Sequence, residues 1–267
     1  MLYNYKDKVF KGFVFSNLNI GSGYYSLSID IGKTTVNPIP GQFLNFYLTN
    51  NSSIILPRPF TVFDFKCNSE LGFTIQILYK VVGKGTCEIS KIIKGDEVEF
   101  IFPLGNGFQV KGKRPLLIAG GTGIASLHYL SRVLQRDGIE FNFLAGVRNN
   151  NEYDSLRNVV DDTDVYWSIE KDAVKGIFQG NVVELYKSKS EIEHDEIFIC
   201  GPTEMLKSFA KEFVNKNINA FCSLEARMGC GVGACLSCVV PAKYDYQLCC
   251  SDGPVFKISD ILWKNIS

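Results

Sequence analysis

Short runs of alternating apolar and polar residues fill the first 110 positions. In the run 73–81, every second residue from Phe73 to Val81 is apolar or aromatic, as expected for a half-buried strand. Five similar runs, separated by Gly, Pro, Asn and Asp, lie at residues 9–15, 24–31, 43–48, 60–65 and 97–102. Six short strands with polar turns predict a small closed antiparallel β-barrel over residues 1–110.

The pattern changes after residues 111–115, a basic stretch that contains Gly and Pro. Apolar runs that predict strands lie at residues 116–119, 141–147, 165–169 and 196–200. Stripes that predict helices lie at residues 124–134, 155–160, 182–186 and 204–215. This alternation predicts an α/β domain over residues 111–216, in which helices cover both faces of a parallel sheet. Residues 217–267 are rich in Cys and Gly with little periodicity, and we expect a small module held by metal.

Composition limits the possible functions. The chain has 267 residues, 46% of them hydrophobic, with 28 Lys and Arg against 28 Asp and Glu. A balanced charge gives no reason to expect a nucleic-acid partner. Glycines and His128 interrupt the longest apolar stretch, so we expect no membrane span. The first residues lack the pattern of a signal peptide, and the nine cysteines are therefore predicted to be cytoplasmic thiols and ligands.

The most specific motif lies near the C-terminus. Cys230, Cys235 and Cys238 have C-x4-C-x2-C spacing, and Cys249 and Cys250 follow. This spacing is typical of plant-type [2Fe–2S] clusters, and the intervening glycines let the backbone wrap closely round the sulfurs. Zinc sites more often combine two C-x2-C pairs or include His, which is absent nearby, and a disulfide knot fits poorly with a glycine-rich loop. The spacing therefore predicts a [2Fe–2S] cluster, with Cys250 or Cys249 as the fourth ligand.

Two short motifs in the first domain are typical of flavin binding. Arg58-Pro59-Phe60-Thr61 offers a guanidinium fork for a pyrophosphate and a hydroxyl for the redox nitrogen of a flavin ring. Gly83-Lys84-Gly85-Thr86 offers close backbone approach to a phosphate, with Thr86 as a possible helix cap. Each motif alone also fits a plain strand edge or a plain capped helix. Together they predict a flavin site.

Two motifs in the α/β domain fit a nicotinamide dinucleotide. Gly120-Gly121-Thr122-Gly123 follows a predicted strand and opens a helix, the context of a dinucleotide phosphate loop. Cys200-Gly201-Pro202 ends a later strand on the same carboxyl edge, where ligands bind in such sheets. A glycine turn needed only for packing and a plain buried cysteine remain the alternatives.

Together, these motifs resemble the ferredoxin–NADP reductase superfamily. More narrowly, the loop 230–238 with Cys250-Ser-Asp-Gly-Pro-Val-Phe256 is similar to the electron-transfer subunits of NAD-linked dihydroorotate dehydrogenases, over essentially the whole chain. The resemblance places the fourth cluster ligand at Cys250 instead of Cys249. It also implies that FAD lies between barrel and sheet domain, bound by Arg58, Pro59, Phe60, Thr61, Leu78, Tyr79, Lys80, Gly85 and Thr86.

The resemblance further implies a partner and a route for electrons. The partner would be an FMN-containing dihydroorotate dehydrogenase catalytic subunit, assembled with this chain as a heterotetramer of two plus two. Electrons would pass from dihydroorotate to FMN, the cluster, FAD and finally NAD⁺, in pyrimidine (UMP) biosynthesis. This oxidoreductase chemistry requires no catalytic acid or base from the chain, so we expect no catalytic side chain.

The sequence departs from the family pattern at a few positions. Thr61 stands where serine is commoner, and Ser126 stands where the glycine loop often leads to proline. In this superfamily the adenosine ribose lies near Glu170, which predicts NAD over NADP, although Lys171 and Lys175 oppose that preference. Two other functions share the motifs: an NAD(P)H-ferredoxin or hydrogenase-linked reductase subunit, and a non-enzymatic iron–sulfur scaffold or redox sensor.

Overall fold

A computed structural model describes residues 8–48, 54–68, 72–160, 164–214, 216 and 218–266. The first sheet is antiparallel and contains seven strands in the order β4-β3-β7-β1-β2-β6-β5. These strands are β1 (Val9–Gly21), β2 (Tyr24–Gly32), β3 (Phe43–Tyr47), β4 (Arg58–Thr61), β5 (Asp64–Asn68), β6 (Gly72–Lys80) and β7 (Glu97–Leu104). Helix α1 (Lys84–Ile89) follows β6. The expected antiparallel domain is confirmed, with one strand more than predicted.

The extra strand arises from a bend inside the run 60–65. The run is apolar throughout, but the chain turns at Val62 and Phe63, so that β4 and β5 lie at opposite edges of the sheet. The Val62 N–H donates to Gln42 O (3.1 Å) and the Phe63 N–H donates to Gln76 O (2.8 Å). The bend therefore links the two edges and closes the barrel at this corner.

Alternation along the strands builds the barrel core. Ile75 and Ile77 of β6 are fully buried and pack with Leu27, Phe46 and Phe100 from neighbouring strands. The hydrophobic face predicted for the run 73–81 is thus the inner face of the barrel.

The second sheet also contains seven strands, in the order β11-β10-β9-β8-β12-β13-β16. Its pairs are parallel except for β16, which runs antiparallel to β13. In chain order the elements are β8 (Pro115–Gly120), α2 (Ile124–Arg136), β9 (Asn142–Val147), α3 (Asn150–Arg157), β10 (Tyr166–Ile169), β11 (Phe178–Gln179), α4 (Val182–Ser188), β12 (Glu196–Cys200), α5 (Thr203–Phe213), β13 (Ala220–Ser223), β14 (Val239–Pro241), β15 (Tyr246–Leu248) and β16 (Val255–Lys257). The predicted parallel sheet is confirmed.

Helix limits differ from the prediction at α3. We expected a helix over residues 155–160, whereas α3 begins five residues earlier. The Asn149 side chain accepts the N–H of Glu152 (3.0 Å) and so caps a polar first turn that carries no apolar stripe. The helix predicted over residues 204–215 is α5, and residue 215 lies outside the described residues.

The C-terminal segment continues the second sheet. Strands β13 and β16 extend it, whereas β14 and β15 form a separate two-stranded sheet. Leu224, Val240, Phe256 and Ile258 are buried in one apolar core with Phe209 of α5. The segment is therefore held by hydrophobic packing as well as by its cysteines. The limits 1–110, 111–216 and 217–267 remain a prediction.

Within the described ranges, no helix is both long enough and apolar enough to cross a membrane.

Candidate functional site

A cavity of about 310 Å³ lies between the barrel and the parallel sheet. Strands β4 and β6, helix α2, the end of β12 and the segment after β13 contribute its walls. The predicted site residues that line it are Arg58, Pro59, Phe60, Thr61, Leu78, Tyr79, Lys80, Thr86 and Cys200. Gly85, Gly120, Gly121, Gly123, Gly201 and Pro202 are not among the residues that line it.

Arg58 and Gly85 are in direct contact. A Cβ atom at Gly85 would overlap the Arg58 guanidinium, so any side chain there would displace it. The Arg58 Nη1 donates to Leu56 O (2.7 Å), which fixes the half-buried guanidinium at the rim of the cavity. A fixed planar cation with further N–H donors is suited to phosphate oxygens. This part of the cavity therefore fits the pyrophosphate of a dinucleotide.

Thr86 acts differently from the expected helix cap. Gly83 occupies the cap position of α1, and Thr86 is the third residue of the helix. Its hydroxyl accepts the N–H groups of Val82 (2.9 Å) and Gly83 (3.2 Å). Thr86 thus closes the turn between β6 and α1 and holds Gly85 against the Arg58 guanidinium.

Lys80 joins the two domains at the cavity. Its ammonium pairs with the buried Glu152 carboxylate of α3 and lies 4.7 Å from the centre of the Tyr24 ring. Burial alone would raise the pKa of Glu152, but hydrogen bonds from Lys80 and from the Arg148 N–H (3.0 Å) outweigh it and lower the pKa. The Lys80 charge is therefore balanced by this chain itself.

The glycine loop packs against the end of β12. Residues Gly121–Gly123 form one turn of 3₁₀ helix between β8 and α2, and Gly121 has φ of +52°. A Cβ atom at Gly123 would overlap the Cys200 carbonyl. The loop and the Cys200-Gly201-Pro202 turn therefore meet at the carboxyl edge of the sheet, where only Thr122 and Cys200 among them reach the cavity.

Cys200 is a buried thiol. Burial raises its pKa to about 12, so the group stays protonated at neutral pH. Its Sγ lies 3.4 Å from the hydroxyl of Ser126, which also lines the cavity. A protonated thiol at this position can donate a hydrogen bond but does not act as a nucleophile.

The end of β13 and the segment after it supply cavity residues that sequence reasoning missed. Ser223, Leu224, Glu225, Ala226 and Met228 line one wall. Burial raises the pKa of Glu225, which lines the cavity. The segment has no periodicity, and its only sequence signal is that it directly precedes Cys230. Met228 therefore connects the cavity wall to the first cysteine of the loop.

The four predicted cluster cysteines form two pairs. Cys238 and Cys250 have their sulfurs 3.2 Å apart. In the other pair, the N–H of Cys230 points to the Sγ of Cys235 and the N–H of Cys235 to the Sγ of Cys230, each at 3.3 Å. Among the described residues, no three His, Cys, Asp or Glu side chains are grouped round one metal ion. A [2Fe–2S] cluster binds two thiolates at each of its two irons, and these two cysteine pairs meet that requirement.

Backbone donors surround these sulfurs. The N–H of Gly233 points to the Cys250 Sγ (3.1 Å), and the N–H of Val232 points to the Cys230 Sγ (3.4 Å). The Ser237 hydroxyl and the Cys230 N–H lower the pKa of Cys235 to about 6. Hydrogen bonds to sulfur favour the thiolate form that iron requires.

Cys249 and Cys250 point in different directions. The Cys249 thiol is fully buried in the apolar core and donates to Leu224 O (3.2 Å), while its backbone N–H donates to Cys238 O (2.9 Å). Cys250 faces Cys238. The geometry therefore favours Cys250 over Cys249 as the fourth ligand.

The barrel holds the cysteine loop directly. The Asn45 side chain, on β3, is fully buried and its Nδ2 donates to Cys230 O (3.1 Å). Gly231 has φ of +72°, and a Cβ atom there would overlap the Asn45 amide. Only glycine permits this close approach, which ties the loop to the wall of the barrel.

Comparison with known proteins agrees with this geometry. A family model described as the iron-sulfur cluster binding domain of dihydroorotate dehydrogenase B matches residues 225–262. A solved structure of an NADH-dependent reduced ferredoxin-NADP oxidoreductase, studied for flavin-based electron bifurcation, superimposes with a TM-score of 0.81 at 25% identity. The match covers 95% of this chain and 90% of that chain. The fold is thus shared along almost the full length.

Two curated relatives are more similar in sequence. The dihydroorotate dehydrogenase B (NAD(+)) electron transfer subunit of Clostridium perfringens is 33% identical over 252 residues, which are 92% of this chain and 95% of that protein. The subunit of the same name from Caldanaerobacter subterraneus subsp. tengcongensis is 34% identical over 261 residues, 95% of this chain and 98% of that protein. At this identity and coverage, the chain belongs to the family of dihydroorotate dehydrogenase B (NAD(+)) electron transfer subunits.

Proposed function

We propose that this chain binds FAD in the cavity and a [2Fe–2S] cluster in the cysteine loop, and that it passes electrons from a partner subunit to NAD⁺. The observation that carries the proposal is the segment 223–230: five of its residues line the cavity, and it ends at the first predicted cluster ligand, Cys230. When bound, these groups supply exchange of single electrons at the cluster side and hydride exchange at the nicotinamide side. The chain fixes the distance between the two sites.

In this proposal the barrel residues hold the flavin. Arg58 binds the pyrophosphate, with Gly85 and Thr86 shaping the turn beside it. Thr61 places a hydroxyl at the redox end of the ring, and Phe60 and the residues Leu78, Tyr79 and Lys80 line the ring and its ribityl chain. Pro59 fixes the backbone of β4 between Arg58 and Phe60.

The carboxyl edge of the sheet receives the nicotinamide nucleotide. Gly120, Gly121 and Gly123 bring the start of α2 close to the strand end, and Cys200, Gly201 and Pro202 form the adjacent wall. Glu170 follows β10 at the same edge and is exposed, so its carboxylate is available to a ribose 2′-hydroxyl. This placement supports NAD over NADP.

The partner in this proposal is an FMN-containing dihydroorotate dehydrogenase catalytic subunit, in a heterotetramer of two plus two. The relatives are named as electron transfer subunits, and that name requires a catalytic partner. Large exposed side chains surround the cysteine loop: Leu236 is 61% exposed, Tyr244 92% and Tyr246 73%. An apolar rim of this kind is typical of a protein interface, and it lies beside the exposed Cys235.

The test measures dihydroorotate-dependent reduction of NAD⁺. The chain, loaded with FAD and iron, is assayed alone and after assembly with the purified FMN subunit. We expect no turnover alone and sustained turnover in the complex, because a TIM barrel needs about 250 residues and this chain has no room for one. Turnover of dihydroorotate by the chain alone, or none by the complex, would contradict the proposal.

The rim supplies a variant for the same assay. Replacing Tyr244 with Asp should weaken assembly by about 10-fold or more, because a buried aromatic contact is lost and a charge is introduced. Tyr166 is 43% exposed at the start of β10, toward the edge of the second sheet away from β13 and β16, and offers a matched Tyr166→Asp control with unchanged assembly. If the Tyr244 variant assembles as well as the wild type, the interface does not include this rim.

A second candidate is a ferredoxin-linked NAD(P)H reductase subunit. It is favoured by the 25% identical structure with the same fold over 95% of this chain. In that case, reduced ferredoxin would reduce NAD⁺ through this chain about as fast as dihydroorotate does with the FMN subunit. We expect dihydroorotate with the FMN subunit to give the much faster reduction of NAD⁺.

A further inference from the structure

Three side chains from both domains form one hydrogen-bonded chain at the cavity wall. The Cys200 thiol, at the end of β12, lies 3.4 Å from the Ser126 hydroxyl on α2. The Ser126 hydroxyl lies 3.2 Å from the Thr61 hydroxyl at the end of β4. Ser126 is the middle member and is 3% exposed. The chain therefore crosses from the parallel sheet to the barrel through a single buried hydroxyl.

The chain has a defined direction. Burial keeps Cys200 protonated, and the Ser223 hydroxyl also hydrogen-bonds its sulfur; the Cys200 S–H donates to the Ser126 oxygen. The Ser126 O–H then donates to the Thr61 oxygen. The hydrogen of Thr61 is left to point elsewhere, and Thr61 lines the cavity. Each hydroxyl has one hydrogen and two acceptor positions, so this order leaves Thr61 as a donor into the cavity.

Ser126 is also a position at which this chain departs from the family pattern. Proline commonly stands there, and proline offers neither a hydroxyl nor an N–H. A chain with proline at this position could not form this link between Thr61 and Cys200.

We propose that Ser126 is a positioning residue that orients the Thr61 hydroxyl as a hydrogen-bond donor to the redox nitrogen of the flavin ring. The inference rests on the proposed FAD site. Without the Ser126 hydroxyl, the Thr61 hydroxyl is free to rotate and to donate to water. The hydrogen bond from Thr61 to the ring nitrogen then competes with hydrogen bonds from Thr61 to water.

The experiment uses the chain reconstituted with FAD that carries ¹⁵N at the redox nitrogen. The chemical shift of that nitrogen reports the hydrogen bond it accepts. Both Thr61→Ala and Ser126→Ala are expected to move the resonance in the same direction, and Ser126→Thr, which keeps the hydroxyl, should restore it. Ser131→Ala removes a buried hydroxyl from the same helix that donates to His128 O (2.7 Å), and it should leave the resonance unchanged.

Ser126→Pro provides a second variant without the hydroxyl. Position 126 lies in the first turn of α2, where proline is tolerated, so this variant should fold even if a cavity at Ala destabilises the chain. Flavin reduction by NADH should slow about 2- to 10-fold in both variants, the value of one hydrogen bond.

The outcomes separate the inference from the proposed function. A resonance that moves in Thr61→Ala but not in Ser126→Ala or Ser126→Pro overturns the role of Ser126 and leaves the FAD site in place. A resonance that Thr61→Ala also leaves unchanged places the flavin elsewhere and overturns both.

Discussion

The cysteine loop and the cavity are built in opposite ways. The loop takes three of its four predicted ligands from nine consecutive residues, and backbone N–H groups of the same stretch surround the sulfurs. The cavity takes its walls from strands β3, β4 and β6 of the barrel, helices α1 and α2, the end of β12 and the segment 223–228. The first site is local in sequence, whereas the second exists only when both domains pack together.

This difference determines how each site responds to change. A local loop gains its geometry from spacing and from glycines at positive φ, and its tie to the barrel described above is the Asn45 hydrogen bond to Cys230 O. A site assembled from distant elements depends on every contact between them. The Lys80–Glu152 ion pair, the Thr61–Ser126 hydrogen bond and the Arg58–Gly85 contact all belong to this second kind.

The largest effect is expected at the fourth cluster ligand. Replacing Cys250 with Ser should abolish or distort the [2Fe–2S] EPR signal, because the position facing Cys238 loses its thiolate. Cys249→Ser is the matched control, since that thiol donates to Leu224 O inside the core. Loss of the signal in the Cys249 variant and its retention in the Cys250 variant would reverse the assignment.

Arg58→Ala tests whether FAD binding in the cavity can be lost while the cysteine loop stays intact. A bidentate, charge-assisted contact to phosphate contributes about 1.5–3 kcal/mol, so FAD should bind roughly 10- to 150-fold more weakly. Gly85→Ala should act in the same direction because its methyl group displaces the guanidinium. Fluorescence titration of the apoprotein with FAD measures both, and Arg114→Ala, an exposed arginine paired with Glu193, is the control. Unchanged affinity in the Arg58 variant would exclude Arg58 from the pyrophosphate site.

The same contrast explains what could be predicted from the sequence. The cluster ligands, the barrel and the parallel sheet follow from spacing and periodicity, which are local properties. The bend at Val62 and Phe63 was missed because both residues are apolar and continue the run. The wall 223–228 was missed because it has no period. The pairing of Lys80 with Glu152 joins residues 72 positions apart, and no local pattern records it.

The Lys80–Glu152 pair makes the domain contact sensitive to pH. The folded pKa of Glu152 is below its ordinary value of 4.5, so its stabilisation is complete above that pH and is lost as the pH falls through the folded pKa. Glu152→Gln should lower the melting temperature by about 2–4 °C at pH 7, equivalent to about 1 kcal/mol. The difference in melting temperature between the Glu152→Gln variant and the wild type should decrease below pH 4.5. A difference that is constant with pH, or one equal to that of the exposed Glu140→Gln control, would contradict this role.

The smallest effect is expected at the nucleotide ribose. Glu170→Gln should raise kcat/KM for NADPH relative to NADH by about 2- to 5-fold, because an exposed charge contributes up to about 1 kcal/mol. Lys171→Gln should shift the ratio in the opposite direction or leave it unchanged. A wild-type protein that prefers NADPH would show that the lysines face the ribose instead of Glu170.

The central claim is that the cavity and the cysteine loop exchange electrons within this one chain. The direct measurement is an anaerobic titration of the FAD- and iron-loaded chain with NADH, followed by flavin absorbance and by EPR. The account predicts that flavin bleaching and the reduced-cluster EPR signal both appear, with an end point of about 1.5 NADH per chain, since the flavin accepts two electrons and the cluster one. In Cys250→Ser the end point should fall to about 1 NADH with the flavin still bleached. A wild-type chain whose flavin is reduced while its intact cluster stays oxidised would contradict the account.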